Sequence, residues 1–269
     1  MKRLAIIGAG AWGTALATVA RRANSTPVLW ARDPDVATAI NERHASPVFL
    51  PGIALDPAVT ATADLDAAVH GAEGVLLVVP AQFLRAVAER LALHFRQAIP
   101  LLLCAKGIEA GSLKMMTEVA AEILPGCPFA VLSGPTFAGE VARGLPTAVT
   151  IASGDASVGR AFTAALGSAR FRPYLSDDPI GAQIGGAVKN VLAIACGIVL
   201  GRVLGDNARA ALITRGLAEM VRLGVAKGGR AETFRGLSGI GDLVLTCSAT
   251  QSRNYALGLA LGRGQSLVA

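Results

Sequence analysis

Arg3-Leu4-Ala5-Ile6-Ile7-Gly8-Ala9-Gly10-Ala11-Trp12-Gly13-Thr14 is the stretch on which the reading of the whole chain turns. Its first five residues make an apolar run of strand length, the glycines follow at once, and the alanine-rich Thr14–Arg22 is helix-prone. Strand, tight turn and helix are predicted in that order. Gly8 permits the turn, Gly10 lets backbone approach a pyrophosphate, and Gly13 lets the helix pack closely on the strand. The phosphates would then meet the unpaired N–H groups of the helix start, where the dipole favours negative charge. A glycine fingerprint is weak alone and strong in this context, so a dinucleotide site is expected. Lys2-Arg3, the apolar run and Ala17-Thr18-Val19-Ala20 also mimic a signal peptide, but the glycine spacing argues against one.

A second strand, Pro27-Val28-Leu29-Trp30-Ala31, ends about 20 residues after the glycines, where NAD-specific folds place an acid on the ribose. Arg32 comes first here and Asp33 second. A guanidinium suits a 2′-phosphate, so NADP is accommodated beside NAD, although Asp33-Pro34 can equally be the cap of the next helix.

Apolar runs recur at Gly74–Val79, Pro100–Cys104 and Phe129–Leu132, with helical patterns between them, and Thr147–Ala152 and Arg170–Leu175 can extend the series. Continuous apolar strands alternating with helices predict a parallel sheet covered on both faces. After Ser176-Asp177-Asp178-Pro179 the strand-like runs cease and alanine, leucine and glycine take helical spacing. The expected architecture is α/β: a Rossmann-type domain over residues 1–178 and an all-α, substrate-binding domain over 179–269.

Composition narrows the partners. Of 269 residues, 52% are apolar and 16% charged, which excludes a disordered chain. The net charge is +6 but the basic residues are scattered and aromatics are only 4%, so no nucleic-acid partner is expected. The longest charge-free runs, Leu4–Ala20 and Ile123–Gly139, do not exceed the shortest span of roughly 17 residues, and the second holds three prolines, so no membrane insertion is expected. Cys104, Cys127, Cys196 and Cys247 lie far apart in apolar stretches, and His44, His70 and His94 have no ligand-like neighbours. Reduced thiols in a cytoplasmic protein without a metal fit that pattern.

Ligands of such sheets bind outside the carboxyl ends of the strands. Lys106, in Ala105-Lys106-Gly107, stands there and is either placed for a phosphate or carbonyl oxygen or simply an exposed strand-end lysine. Ser133-Gly134-Pro135-Thr136-Phe137-Ala138-Gly139 offers a hydroxyl and backbone N–H groups at a helix start, or a structural turn. On the helix expected over 180–200, Lys189 has Gly185, Gly186, Leu192 and Ala193 as its i±3 and i±4 neighbours, so no carboxylate on that helix can pair with it. Ala182, Gly186, Lys189, Ala193 and Cys196 form a small-residue stripe open to another surface or a ligand. A lysine desolvated there suits general acid/base work; the competing reading is a lysine that snorkels to solvent. Arg215 and Glu219 read as a structural i,i+4 pair. Asp242 is an isolated carboxylate after a glycine turn, Ser252 can cap a following helix, and Arg253 and Asn254 fall in its first turn, a setting that favours phosphate.

Taken in order, Ile7–Ala17, Ala105-Lys106-Gly107, Ser133–Ala138, Gly185–Val191, Leu212–Met220, Gly239–Cys247 and Gln251–Asn254 closely resemble the bacterial NAD(P)-dependent glycerol-3-phosphate dehydrogenases. The resemblance covers nearly the whole chain. It implies reversible reduction of dihydroxyacetone phosphate to sn-glycerol 3-phosphate for glycerophospholipid synthesis, with NADP or NAD, and suggests a homodimer. By that resemblance Lys189 is the proton donor/acceptor. Lys106, Gly134, Thr136, Asp242, Ser252, Arg253 and Asn254 match substrate positions, and Gly8, Gly10, Ala11, Trp12, Gly13, Arg32, Lys106, Ala138 and Arg253 match cofactor positions.

Ala11 stands where serine is frequent in the family, and Ser248-Ala249-Thr250 replaces a more polar segment. Against the family the chain is expected to end early, at Leu267-Val268-Ala269, leaving the helical domain without its last portion. Two rivals remain: a β-hydroxyacid or ketopantoate-type dehydrogenase, against which the 242 and 251–254 regions argue, and a nucleotide-binding module with impaired catalysis.

Overall fold

The structure is a computed structural model that describes residues 1–95 and 99–266. The early end expected at Leu267-Val268-Ala269 lies outside the described residues. Contacts divide the chain into two compact units, Met1–Leu132 with Ala138–Asp177, and Ser133–Phe137 with Asp178–Ala269. The short segment 133–137, expected in the first domain, thus groups with the second unit, where Pro135 lies beside Gly241.

In the first unit the chain runs β1 (Arg3–Ile7), α1 (Ala11–Arg22), β2 (Thr26–Trp30), α2 (Pro34–Arg43), β3 (Ala45–Ser46), β4 (Leu50–Ala54), β5 (Thr60–Thr62), α3 (Leu65–Val69) and β6 (Gly74–Leu77). It continues through α4 (Leu84–Ala92), β7 (Leu101–Leu103), α5 (Met116–Ile123), β8 (Phe129–Ser133), α6 (Ala138–Arg143), β9 (Thr147–Ala152), α7 (Ala156–Leu166) and β10 (Phe171–Ser176). One sheet has the order β10-β9-β8-β7-β6-β1-β2-β5, while β3 and β4 form a separate antiparallel pair. β1 pairs in parallel with β2 and β6, β6 with β7, β7 with β8, β2 with β5, and β9 with β10.

The strand order reverses at β1. From it the chain moves outward to β2 and β5 on one side, then returns to β6 and proceeds towards β10 on the other. That reversal is where open α/β sheets bind ligands. The apolar runs explain the sheet: Leu4, Ala5, Ile6 and Ile7 of β1 and Val75, Leu76 and Leu77 of β6 have no exposed surface. Burying each leucine or isoleucine stabilises by about 1.5–3 kcal/mol. The pair β3–β4 and the strand β5 were not legible in the sequence, because they are short and, in Thr60-Ala61-Thr62, largely polar.

The second unit holds α8 (Pro179–Gly201), α9 (Gly205–Ala226), α10 (Asp242–Ser248) and α11 (Arg253–Gly262). α8 starts with proline at a first-turn position, where a missing N–H costs nothing, and with Asp178 as its cap. The buried Asp178 carboxylate accepts from Gly181 N–H at 2.8 Å, Arg230 N–H at 2.9 Å and the Thr233 hydroxyl at 2.6 Å. One side chain thereby fixes both the helix start and the segment after α9.

Ala182, Ala193 and Cys196 of the expected small-residue stripe are fully buried, and beside that stripe the C-terminal half of α8 meets α11 backbone to backbone. A Cβ on Gly197 would lie 2.2 Å from the Tyr255 carbonyl oxygen, and one on Gly258 would lie 2.0 Å from that of Ile194. Gly201 and Gly262 repeat the contact one turn further on. Glycines four apart on both helices let the two backbones touch, which no residue with a Cβ permits. The buried positions of α11 are Tyr255 and Gly258 rather than its leucines, because backbone contact leaves no space for leucine in the seam. Among the described residues α8 is the one helix long and apolar enough to cross a membrane by length and composition.

Candidate functional site

The glycine loop between β1 and α1 is shaped by what its glycines touch. Gly8 has φ +120°, and a Cβ there would lie 2.9 Å from the Val78 carbonyl oxygen. A Cβ on Gly13 would lie 1.8 Å from the Gly8 carbonyl oxygen, so α1 begins directly over the turn. Beside Gly10 a Cβ would meet nothing within 4 Å. Open space next to the cap, and no side chain bonded to the first N–H groups, leave the start of α1 able to receive a phosphate. The indole Nε1 of Trp12 is buried with no hydrogen-bond partner among the described residues. A buried donor left unpaired costs about 1–3 kcal/mol, which an acceptor on a bound ligand would recover. The loop therefore fits a dinucleotide.

Asp33 caps α2 by accepting from Asp35 N–H at 3.0 Å, with Pro34 in the first turn, so the capping alternative describes this aspartate. Arg32, one residue earlier, is exposed at the end of the β2 segment. Lys106 is half-buried three residues beyond the end of β7. Its neighbour Gly107 has no space for a side chain, since a Cβ would lie 2.7 Å from that of Ala81. Ala138 is the first residue of α6 and is half-buried, and Ala11 opens α1.

In the second unit Lys189 is 6% exposed and Asp242 has no exposed surface. Nζ of Lys189 donates to Oδ1 of Asp242 at 2.5 Å and to Oγ1 of Thr246 at 2.9 Å, while the Thr246 hydroxyl donates to the same Oδ1 at 3.4 Å. Snorkelling is overturned. The carboxylate that α8 cannot supply comes from the first residue of α10, and its negative charge offsets the burial penalty on the ammonium. Thr246 was missed in the sequence, although on a helix the i,i+4 spacing from Asp242 puts both on one face.

Two neighbouring segments carry the remaining candidates. Gly134 takes φ +142°, the Thr136 hydroxyl donates to the Gly134 carbonyl at 3.4 Å, and Ser133 Oγ is buried with no partner among the described residues. Pro135 of this loop lies against Gly241, next to Asp242. Ser252 caps α11 by accepting from Tyr255 N–H at 3.3 Å, leaving its own hydroxyl hydrogen for another acceptor. Asn254 Nδ2 donates to Asn190 Oδ1 at 2.9 Å, and Asn190 follows Lys189 directly. Asn190, also missed as a separate residue, thus links the lysine helix to the first turn of α11. Arg253 is exposed at that turn. The structure brings Gly134, Thr136, Lys189, Asp242, Ser252, Arg253 and Asn254 into the same unit.

Arg215 pairs with Glu219 at 3.0 Å, as their spacing suggested, and Glu219 also binds Arg222. Burial pushes the Cys104 thiol well above its ordinary range, so it stays protonated and inert.

Comparison with known proteins gives one answer. The profile of the NAD-dependent glycerol-3-phosphate dehydrogenase N-terminus matches residues 3–159, and that of the C-terminus matches residues 178–269. The chain is 65% identical over 257 residues to a glycerol-3-phosphate dehydrogenase [NAD(P)+] of Paramagnetospirillum magneticum, covering 95% of this chain and 93% of that one. Against the enzyme of the same name from Rhodospirillum rubrum it is 60% identical, covering 98% of this chain and 76% of that one. A crystal structure of glycerol-3-phosphate dehydrogenase from Coxiella burnetii superimposes with a TM-score of 0.94 at 44% identity, covering 98% and 81% of the two chains. From its glycine loop to its lysine–aspartate pair, the chain belongs to the NAD-dependent glycerol-3-phosphate dehydrogenase family.

Proposed function

We propose that the chain interconverts dihydroxyacetone phosphate and sn-glycerol 3-phosphate with NADP or NAD, in the cytoplasm and for glycerophospholipid synthesis. The observation that carries this reading is the buried Lys189, held by Asp242 and Thr246. When bound, the reduced nicotinamide supplies a hydride to C2 of the ketone. Lys189 meets the negative charge that grows on the C2 oxygen and gives it a proton from Nζ. In the oxidative direction the neutral amine takes the hydroxyl proton back. Asp242 and Thr246 fix where Nζ points, so the donor is oriented before substrate arrives.

Substrate recognition is assigned to Lys106, Gly134, Thr136, Asp242, Ser252, Arg253 and Asn254. Lys106 and Arg253 supply positive charge for the phosphate, and the start of α11 adds backbone N–H groups. Cofactor binding is assigned to Gly8, Gly10, Ala11, Trp12, Gly13, Arg32, Lys106, Ala138 and Arg253, on the domain division 1–178 and 179–269. A homodimer is part of the proposal and rests on the family resemblance; sedimentation of the purified chain tests it. The decisive assay follows NADPH and NADH oxidation with dihydroxyacetone phosphate beside a set of 2-keto acids. Turnover with dihydroxyacetone phosphate is expected. Turnover only with a keto acid would establish the carboxylate-substrate rival, and cofactor binding without turnover would establish the non-catalytic one.

A further inference from the structure

Gln82 is exposed, yet both ends of its amide are committed to backbone. Nε2 donates to the Ile108 carbonyl at 2.8 Å, and Oε1 accepts from Ala110 N–H at 2.8 Å. A surface glutamine gains little by such order, because water satisfies its amide without loss of rotamer freedom. Three residues on, the Arg85 guanidinium grips Glu109 with two parallel bonds, Nε to Oε1 at 2.9 Å and Nη2 to Oε2 at 3.0 Å. Positions three apart at a helix start face the same way, so Gln82 and Arg85 together hold residues 108, 109 and 110.

The held loop is the one that carries Lys106. On one side the Cys104 N–H is fixed to the Leu77 carbonyl at 3.0 Å, in continuation of the sheet. On the other stands the Gln82 amide, and between them Gly107 lies flat against Ala81. The backbone of Lys106 is bracketed within four residues.

We infer that Gln82 is a positioning residue, whose amide sets the loop backbone from which Lys106 reaches the phosphorylated substrate. The inference rests on the reading of Lys106 as a substrate residue. Asparagine is a methylene too short for both bonds, and glutamate keeps the acceptor for Ala110 but sets a second acceptor against the Ile108 carbonyl.

Steady-state kinetics on the full chain, with dihydroxyacetone phosphate and NADPH, test it in Gln82→Ala, Gln82→Glu, Lys106→Ala and the Gln82→Ala/Lys106→Ala double variant. Losing the two bonds is expected to raise KM for dihydroxyacetone phosphate about tenfold with kcat within about threefold of the parent, and Gln82→Glu falls between. In the Lys106→Ala background the further change is expected to be under about twofold, because the group being positioned is gone. An unchanged KM in Gln82→Ala beside a raised one in Lys106→Ala overturns the role of Gln82 alone. So does an equal effect of Gln82→Ala with and without Lys106, or a lower melting temperature with KM unmoved. An unchanged KM in Lys106→Ala overturns the reading of Lys106 and this inference with it.

Discussion

Lys189 and Asp242 stand 53 residues apart in the chain and 2.5 Å apart in the fold, both buried. A buried pair of this kind is costly to break, since removing one partner leaves the other charge uncompensated. Lys189→Met and Asp242→Ala are each expected to lose about 3–5 kcal/mol of stability by denaturant titration. Lys189→Met/Asp242→Asn, neutral on both sides, should recover most of that loss. An additive loss in the double variant would mean the two side chains are not coupled.

Activity separates from stability in the same variants. Lys189→Met/Asp242→Asn is expected to remain folded and to bind NADPH while kcat falls about 10²–10⁴-fold, the range for a lost general acid. Near-normal turnover would remove Lys189 from the proton-transfer role.

Arg253 is exposed in the first turn of α11, whose cap is made by Ser252. Arg253→Ala should therefore leave the melting temperature in place while raising KM for dihydroxyacetone phosphate about tenfold or more, as expected for a charge-assisted phosphate contact. An unaltered KM would refute the phosphate role.

Arg32 is exposed just beyond β2, and the proposed cofactor role sets its guanidinium against a 2′-phosphate. Arg32→Ala is expected to raise KM for NADPH about tenfold and leave that for NADH nearly unchanged. Equal shifts for both cofactors would show that Arg32 does not read the 2′ position.

The Arg85 network has a defined acid limit. Arg85 holds the Glu109 carboxyl below its ordinary range, and with Lys114 it holds Glu122 down at about 2. Carboxylates with depressed folded values contribute stability fully above their unfolded value of about 4.3, and that contribution is lost as pH falls towards the folded value. The melting temperature gap between the parent and Arg85→Gln should be constant from about pH 8 to pH 5 and shrink below about pH 4. A gap that widens on acidification would contradict the assignment.

What the sequence settled by itself was local. The run Arg3–Ile7 with Gly8, Gly10 and Gly13 fixes a strand, a turn and a helix within twenty residues, because each element needs only its own apolar spacing and the absence of a Cβ. The caps at Asp33 and Ser252 were legible for the same reason, since a cap bonds two or three residues away. The outer strand β5 was not, because Thr60-Ala61-Thr62 becomes a strand only by lying beside β2. Lys189 illustrates the division most sharply. Its own helix shows that no neighbour on α8 can pair with it, which is true and incomplete: the carboxylate arrives from α10, the hydroxyl of Thr246 arrives one turn later, and Ala182, Ala193 and Cys196 of the stripe expected to admit a ligand are fully buried. Charge pairing and close packing depend on distance in space rather than along the chain, so the lysine proposed as the proton donor was readable as a candidate and the partners that hold it were not.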